Sequence, residues 1–168
     1  MRIYLVGYMG SGKSKAGQAL ATAMRYKFLD TDSEVELKTG KTVQEIFNLL
    51  GEHEFRKLET EVLLATESLN QAVIATGGGL PVHDDNMEWM NSHGLTVYLE
   101  ASEGLLFHRL ASSKKGRPLI ENLDDVELME QISRHMTERA PVYGLAKIKV
   151  NALSLNLKML QEKIKKVK

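Results

Sequence analysis

Short apolar runs rich in strand-forming residues recur along the chain, separated by stretches with helical spacing. The runs are Ile3–Val6, Lys27–Leu29, Ala72–Ala75, Thr96–Leu99 and Ile148–Val150, and each predicts a strand. Between them apolar positions repeat every three or four residues, as at Phe55, Leu58, Val62, Ala65 and Leu69. The C-terminal stretch does the same at Leu153, Leu157, Leu160, Ile164 and Val167, which predicts an amphipathic final helix. Lys158, Lys163, Lys165, Lys166 and Lys168 lie off that stripe and read as its solvated face rather than a nucleic-acid patch. Strands alternating with helices predict parallel strands joined by crossover helices, hence a three-layer α/β domain covering residues 1–168.

Two segments break that alternation. Residues 31–60 carry two capping-box patterns, Ser33-x-x-Glu36 and Thr42-x-x-Glu45, and predict a helical insertion after the second strand. Residues 111–123 form a polar, basic stretch with Gly116 and Pro118. It is either a solvated connection or a mobile lid.

Composition narrows the function classes. Apolar residues make up 43% of the 168, too many for a disordered chain. The 22 Lys and Arg balance 22 Asp and Glu, which disfavours a generic nucleic-acid binder. Cysteine is absent, so thiolate nucleophiles and Cys-ligated metals are excluded. No apolar run approaches the roughly 20 residues of a membrane span. Met1–Gly7 has neither the apolar run nor the cleavage site of a signal peptide, so a cytoplasmic location is expected.

The first strand runs into Gly7-Tyr8-Met9-Gly10-Ser11-Gly12-Lys13-Ser14, a full match to G-x-x-x-x-G-K-[ST], and a helical pattern follows. Glycines at these positions let successive backbone N–H groups point at phosphate oxygens, and the helix N-terminus adds positive charge. Lys13 would reach the β- and γ-phosphates, and the Ser14 hydroxyl would meet Mg²⁺. A nucleoside triphosphate site follows, but not yet a reaction.

Further candidates lie at the ends of later strands. Asp30 and Asp32 sit two apart, a spacing that on a strand end directs both carboxylates to one side. Asp32 equally fits a helix N-cap. Arg56 and Glu59 are three apart on a helical pattern, a spacing that also describes an ordinary surface ion pair. Gly77, Gly78 and Gly79 follow a strand, where ligands of open α/β sheets bind. Arg117-Pro118 and Arg139-Ala140-Pro141 add two arginines beside rigid turns. The five histidines show no metal pair, and Trp89 reads as packing. Neither Asn-Lys-x-Asp nor Asp-x-x-Gly occurs, which argues against a regulatory GTPase.

In their order and spread over nearly the whole chain, these motifs resemble the shikimate kinases. The resemblance rests on Gly7–Ser14, Asp30-Thr31-Asp32, Phe55-Arg56 with Glu59, Thr76–Gly79, Arg117-Pro118-Leu119 and Arg139–Tyr143. It implies a P-loop NTPase fold like that of nucleoside-monophosphate kinases, with a five-stranded parallel sheet. It implies transfer of the γ-phosphoryl of ATP, with Mg²⁺, to the 3-hydroxyl of shikimate. By matching motif, Gly10, Ser11, Gly12, Lys13, Ser14 and Lys15 would bind nucleotide, with Arg109 on the adenine side and Arg117 on the lid. Ser14 would meet the metal directly and Asp30 through water. Asp32, Arg56, Gly77, Gly78, Gly79 and Arg139 would hold shikimate, with Phe47 and Phe55 beneath its ring. Lys13, Asp32 and Arg117 would be catalytic.

Two positions depart from the family: Gly144, where members commonly carry a charge, and Asn151–Ser154, which lacks a clear adenine-contacting match. We expect a monomer with no nucleic-acid or membrane partner. A gluconate kinase on the same scaffold, or an ATP-dependent switch, would share the phosphate loop. A switch would have no use for Asp32, Arg56 and Arg139 around one small molecule.

Overall fold

The computed structural model describes residues 1–167; Lys168, counted above with the solvated lysines, lies outside the described residues. Five parallel strands form one sheet: β1 (Arg2–Val6), β2 (Lys27–Asp30), β3 (Ala72–Ala75), β4 (Leu95–Glu100) and β5 (Ile148–Asn151). Their order is β2-β3-β1-β4-β5, so β1 is central and the connections leave it toward opposite edges. That reversal opens a crevice at the carboxyl end of β1.

Alternation along β1 sets up the three layers. Ile3 and Leu5 pack with Leu20 of α1 (Lys13–Met24) and with Leu160 and Ile164 of α7 (Leu157–Lys166). Tyr4 and Val6 face the other way, toward Leu63 of α3 (Val43–Ala65), Met90 of α4 (Asn86–His93) and Leu106 of α5 (Glu103–Ala111). Ile132 and Tyr143 of α6 (Asp125–Tyr143) complete that face. Trp89 packs edge-on against Tyr4 and stacks on His93, a structural use.

The insertion forms α2 (Thr31–Thr39) and α3, with a small core of Val35, Ile46, Phe55 and Val62. The Thr42 capping box forms: Thr42 Oγ1 accepts from Glu45 N–H at 3.2 Å, and Glu45 Oε2 accepts from Thr42 N–H at 2.7 Å. The Ser33 box does not. Asp30 caps α2 instead, accepting from Asp32 N–H at 3.1 Å, so Ser33 already lies inside the helix. Glu36 turns to the next helix and accepts from Val43 N–H at 2.9 Å. Gly51, at φ 81°, kinks α3, a conformation that costs other residues energy.

The final helix is shorter than its apolar stripe. Asn156 caps it, and Asn151 Oδ1 accepts from the N–H groups of Leu153 and Ser154, which holds Leu153 in an exposed turn. Leu69 likewise falls outside α3, just after a 3₁₀ turn at Thr66–Ser68. Gly144 follows α6 at φ −63°, a right-handed conformation that does not require glycine. Among the described residues, no helix is long and apolar enough to cross a membrane.

Candidate active site

A cleft of about 780 Å³ opens at the carboxyl end of β1, and a second compartment of about 290 Å³ adjoins it. The phosphate loop floors the first. Gly12 adopts φ 95° at the N-cap of α1, so a left-handed turn aims the first N–H groups of the helix into the cleft. Lys13 Nζ lies over the loop and donates to the carbonyls of Gly7 and Tyr8, each at 2.8 Å. Burial pushes the Lys13 amine down to about 8, opposed by the charges of Asp32 and Asp30. Ser14 Oγ donates to Asp30 Oδ2 at 2.5 Å.

Gly10, Ser11, Lys15, Asp30, Arg109 and Arg117 also line this compartment. Arg109 Nη1 donates to the carbonyls of Gly10 and Ser11 at 3.0 and 3.2 Å, which seats α5 on the loop. Arg117 projects from the 112–124 connection and donates to Ser113 Oγ at 2.5 Å. Ala152, Leu153, Leu155 and Leu157 close the far side. Ala152 and Leu153 fall in the Asn151–Ser154 segment, which lacked a clear adenine-contacting match, whereas Leu155 and Leu157 carried no site signal, because a helix start brings them in and no spacing rule marks it.

The second compartment gathers Phe47, Phe55, Arg56, Gly79 and Arg139. Five residues line both: Met9, Asp32, Gly77, Gly78 and Arg117. Both aspartates therefore reach one cleft, but not by strand alternation. Asp30 ends β2 as the cap, and Asp32 points inward from the first turn of α2. Met9 is a loop residue at an unspecified motif position, so the sequence offered no signal for it.

Arg56 and Glu59 form a buried pair, not a surface one. Arg56 Nη1 donates to Glu59 Oε2 at 2.5 Å and Nη2 to Glu52 Oε1 at 2.9 Å, while Glu59 is 0% exposed. The Phe55 ring lies 4.8 Å from that of Phe47, centroid to centroid, and 5.4 Å from Arg56 Cζ. Glycines let these groups crowd the β3 loop. A Cβ on Gly79 would collide with the Arg56 guanidinium, and one on Gly77 with the carboxylates of Glu59 and Asp32.

Among the described residues, five buried side-chain polar atoms lack a hydrogen-bond partner, and four of them line the two compartments. They are Ser11 Oγ, Asp32 Oδ1, Glu59 Oε1 and Arg139 Nη1. Glu59 and Asp32 face each other and share the proton that Glu59 keeps, which leaves Ser11 Oγ and Arg139 Nη1, one in each compartment, free for a polar ligand. Burial pushes the pKa of Asp32 up from the usual carboxylate range, and the neighbouring Asp30 adds to the shift. Burial pushes Glu59 up to about 8, with Arg56 opposing and Asp32 reinforcing. A compartment floored by the glycine loop thus meets one lined by Arg56 and Arg139 across one shared wall.

Comparison with known proteins agrees with this geometry. The family model for shikimate kinase matches residues 9–168. The chain is 44% identical over 146 residues to a shikimate kinase of Phocaeicola vulgatus, covering 87% of this chain and 83% of that protein. The crystal structure of shikimate kinase from Bacteroides thetaiotaomicron superposes with a TM-score of 0.91 at 39% identity over 98% of each chain. Shikimate kinase from Acinetobacter baumannii, solved in complex with shikimate, gives 0.88 at 35% identity over 99% of this chain and 91% of that one. With its P-loop architecture, its divided cleft and these relatives, the chain belongs to the shikimate kinase family and is an ATP-dependent kinase that phosphorylates shikimate.

Proposed function

We propose how this cleft carries out the family reaction, transfer of the γ-phosphoryl of ATP to the 3-hydroxyl of shikimate. The observation that carries the reading is the shared wall: Asp32, Gly77, Gly78 and Arg117 line both compartments. ATP would lie over Gly10–Lys15, with Arg109 on its adenine side. Shikimate would lie over Phe47 and Phe55, its carboxylate held by Arg56 and Arg139 and its ring substituents near Gly77, Gly78 and Gly79.

The acceptor hydroxyl oxygen attacks the γ-phosphorus as the bond to the β–γ bridging oxygen breaks. Asp32 takes the hydroxyl proton, and its raised pKa, which makes the carboxylate a stronger base, suits that role. The transition state is loose, so positioning and charge matter more than basicity. Lys13 and Arg117 stabilise the phosphoryl oxygens as charge shifts to the leaving ADP. The 111–123 segment acts as a lid that excludes water.

Ser14 Oγ and the Asp30 carboxylate are hard oxygen donors close together at the loop, a set that fits Mg²⁺. Ser14 would meet the ion directly and Asp30 through water, and the ion would neutralise phosphate charge. The proposal extends to a cytoplasmic monomer. The balance of 22 basic and 22 acidic residues argues against a polyanionic partner.

The direct test is ADP release from Mg-ATP with shikimate, with gluconate and with no acceptor. Stimulation by shikimate alone is expected. A rate unchanged by shikimate would sink the reading, and stimulation by gluconate would replace it.

A further inference from the structure

One face of α6 touches both halves of the cleft through a residue that the P-loop motif leaves unspecified. Tyr8 is 1% exposed. Its hydroxyl lies 2.9 Å from His135 Nδ1, and its ring lies 5.6 Å beneath Arg139 Cζ. Tyr143, on the same face of α6, donates its hydroxyl to the Gly78 carbonyl at 2.6 Å. His135, Arg139 and Tyr143 are spaced i, i+4, i+8, and all are buried. At its other end, the Tyr8 carbonyl accepts from Lys13 Nζ at 2.8 Å. Tyr8 therefore joins the phosphate-binding lysine to the helix that carries Arg139.

The polarity of the contact is set by its surroundings. Burial, then the charges of Arg139 and Arg134, push His135 down to about 4, so its ring is neutral at pH 7. Burial pushes the Tyr8 hydroxyl up to about 12, so it keeps its proton. Tyr8 O–H then donates and His135 Nδ1 accepts, which leaves the ring proton on Nε2. The ring of Tyr8 is held at both ends, by the loop backbone and by His135. One residue thus carries both the carbonyl that Lys13 holds and the ring on which Arg139 rests.

We propose that Tyr8 is a positioning residue that couples the two substrates, with Lys13 acting through the Tyr8 peptide, ring and hydroxyl on the His135–Arg139–Tyr143 face of α6. When Lys13 engages nucleotide phosphates, its ammonium exchanges carbonyl contacts for phosphate oxygens. The Tyr8 peptide loses a charged donor and resettles. Its ring then fixes the Arg139 guanidinium for the substrate carboxylate. The proposal rests on the assignment of Arg139 to that carboxylate.

Calorimetric titration of shikimate, with and without a non-hydrolysable ATP analogue and Mg²⁺, tests it. In the wild type the analogue tightens shikimate binding about fivefold or more, a typical coupling between sites. Tyr8→Phe keeps the ring and loses only the hydroxyl, and His135→Leu removes the acceptor. Each brings the factor below about twofold, and the double variant goes no lower, because both remove one contact. His135→Asn places an oxygen near the position of Nδ1 and restores part of the factor.

A wild-type factor near one overturns the proposal. So does a wild-type factor in Tyr8→Phe, even where its melting temperature falls, because a merely structural contact would move only stability. Arg139→Met separates the two readings. If it binds shikimate like the wild type, the assignment of Arg139 fails and the proposal fails with it. If it loses binding while Tyr8→Phe couples normally, only the coupling is wrong.

Discussion

Single atoms decide most of the chemistry in this cleft. Gly79 sits against the Arg56 guanidinium, which is the far end of a flexible side chain. Gly79→Ala should therefore push Arg56 aside, lowering the melting temperature as its buried pair with Glu59 is disturbed and raising the KM for shikimate at least tenfold. A KM within twofold of wild type would show that Arg56 is not needed where it stands. Arg56 also sets a stricter test. A planar guanidinium grips a carboxylate through two parallel hydrogen bonds, which Lys cannot reproduce. Losing one such contact in a closed site costs about 2–5 kcal/mol, or roughly 30- to 5,000-fold in kcat/KM. Arg56→Lys should fail nearly as badly as Arg56→Ala, and normal phosphorylation by Arg56→Lys would reopen the clamp. The two aspartates should divide by role. Asp32→Asn should lower kcat more than ATP affinity, whereas Asp30→Asn should raise the Mg²⁺ concentration needed for half-maximal rate. Identical Mg²⁺ titrations for both would refute the division.

At the level of elements, helix starts and connections place these atoms. Asp30 caps α2, and this turns Asp32 inward while leaving the second Asp30 oxygen for Ser14. The 112–124 connection has no regular structure of its own but carries Arg117 to the shared wall. Its second half is anchored by Ile120, fully buried, with Leu119 and Leu123 packed against the core, whereas Ser112, Ser113, Lys115 and Gly116 are exposed, so only the first half opens cheaply. Proteolysis after Lys114 or Lys115 should slow at least severalfold when an ATP analogue and shikimate are both bound. Equal cleavage in every state would leave a passive loop.

The whole molecule answers to pH through its buried acid pair. Glu59 is held near 8 in the fold against an ordinary value of 4.5, because burial and Asp32 outweigh Arg56. The folded state thus keeps a proton that the unfolded chain releases between those values. The corresponding stability is complete below about 4.5 and gone above about 8. Urea unfolding at pH 5, 6.5 and 8 should show Glu59→Gln gaining stability relative to wild type as pH rises. A constant difference would mean that Glu59 is ionised throughout, and the opposite trend would mean that folding releases rather than keeps a proton.

All five strands were legible within a residue or two, because short apolar runs between helical patterns leave little alternative. The phosphate loop was legible for a related reason: its chemistry depends on backbone, which glycine spacing encodes locally. The Thr42 capping box was equally local. Contacts between elements were not. The Ser33 box lost to Asp30 because strand β2 ends one residue before the helix begins, which makes Asp30 the cap. Arg56 and Glu59 read as an ordinary pair until packing buried them beside Asp32 and Gly77. Ala152, Leu153 and Leu155 entered the cleft through a turn that no periodicity marks, and Tyr8 met His135 across 127 positions of sequence. Local backbone preference is written residue by residue, but burial and charge coupling arise only when distant segments share one space, and there the tertiary structure alone decided.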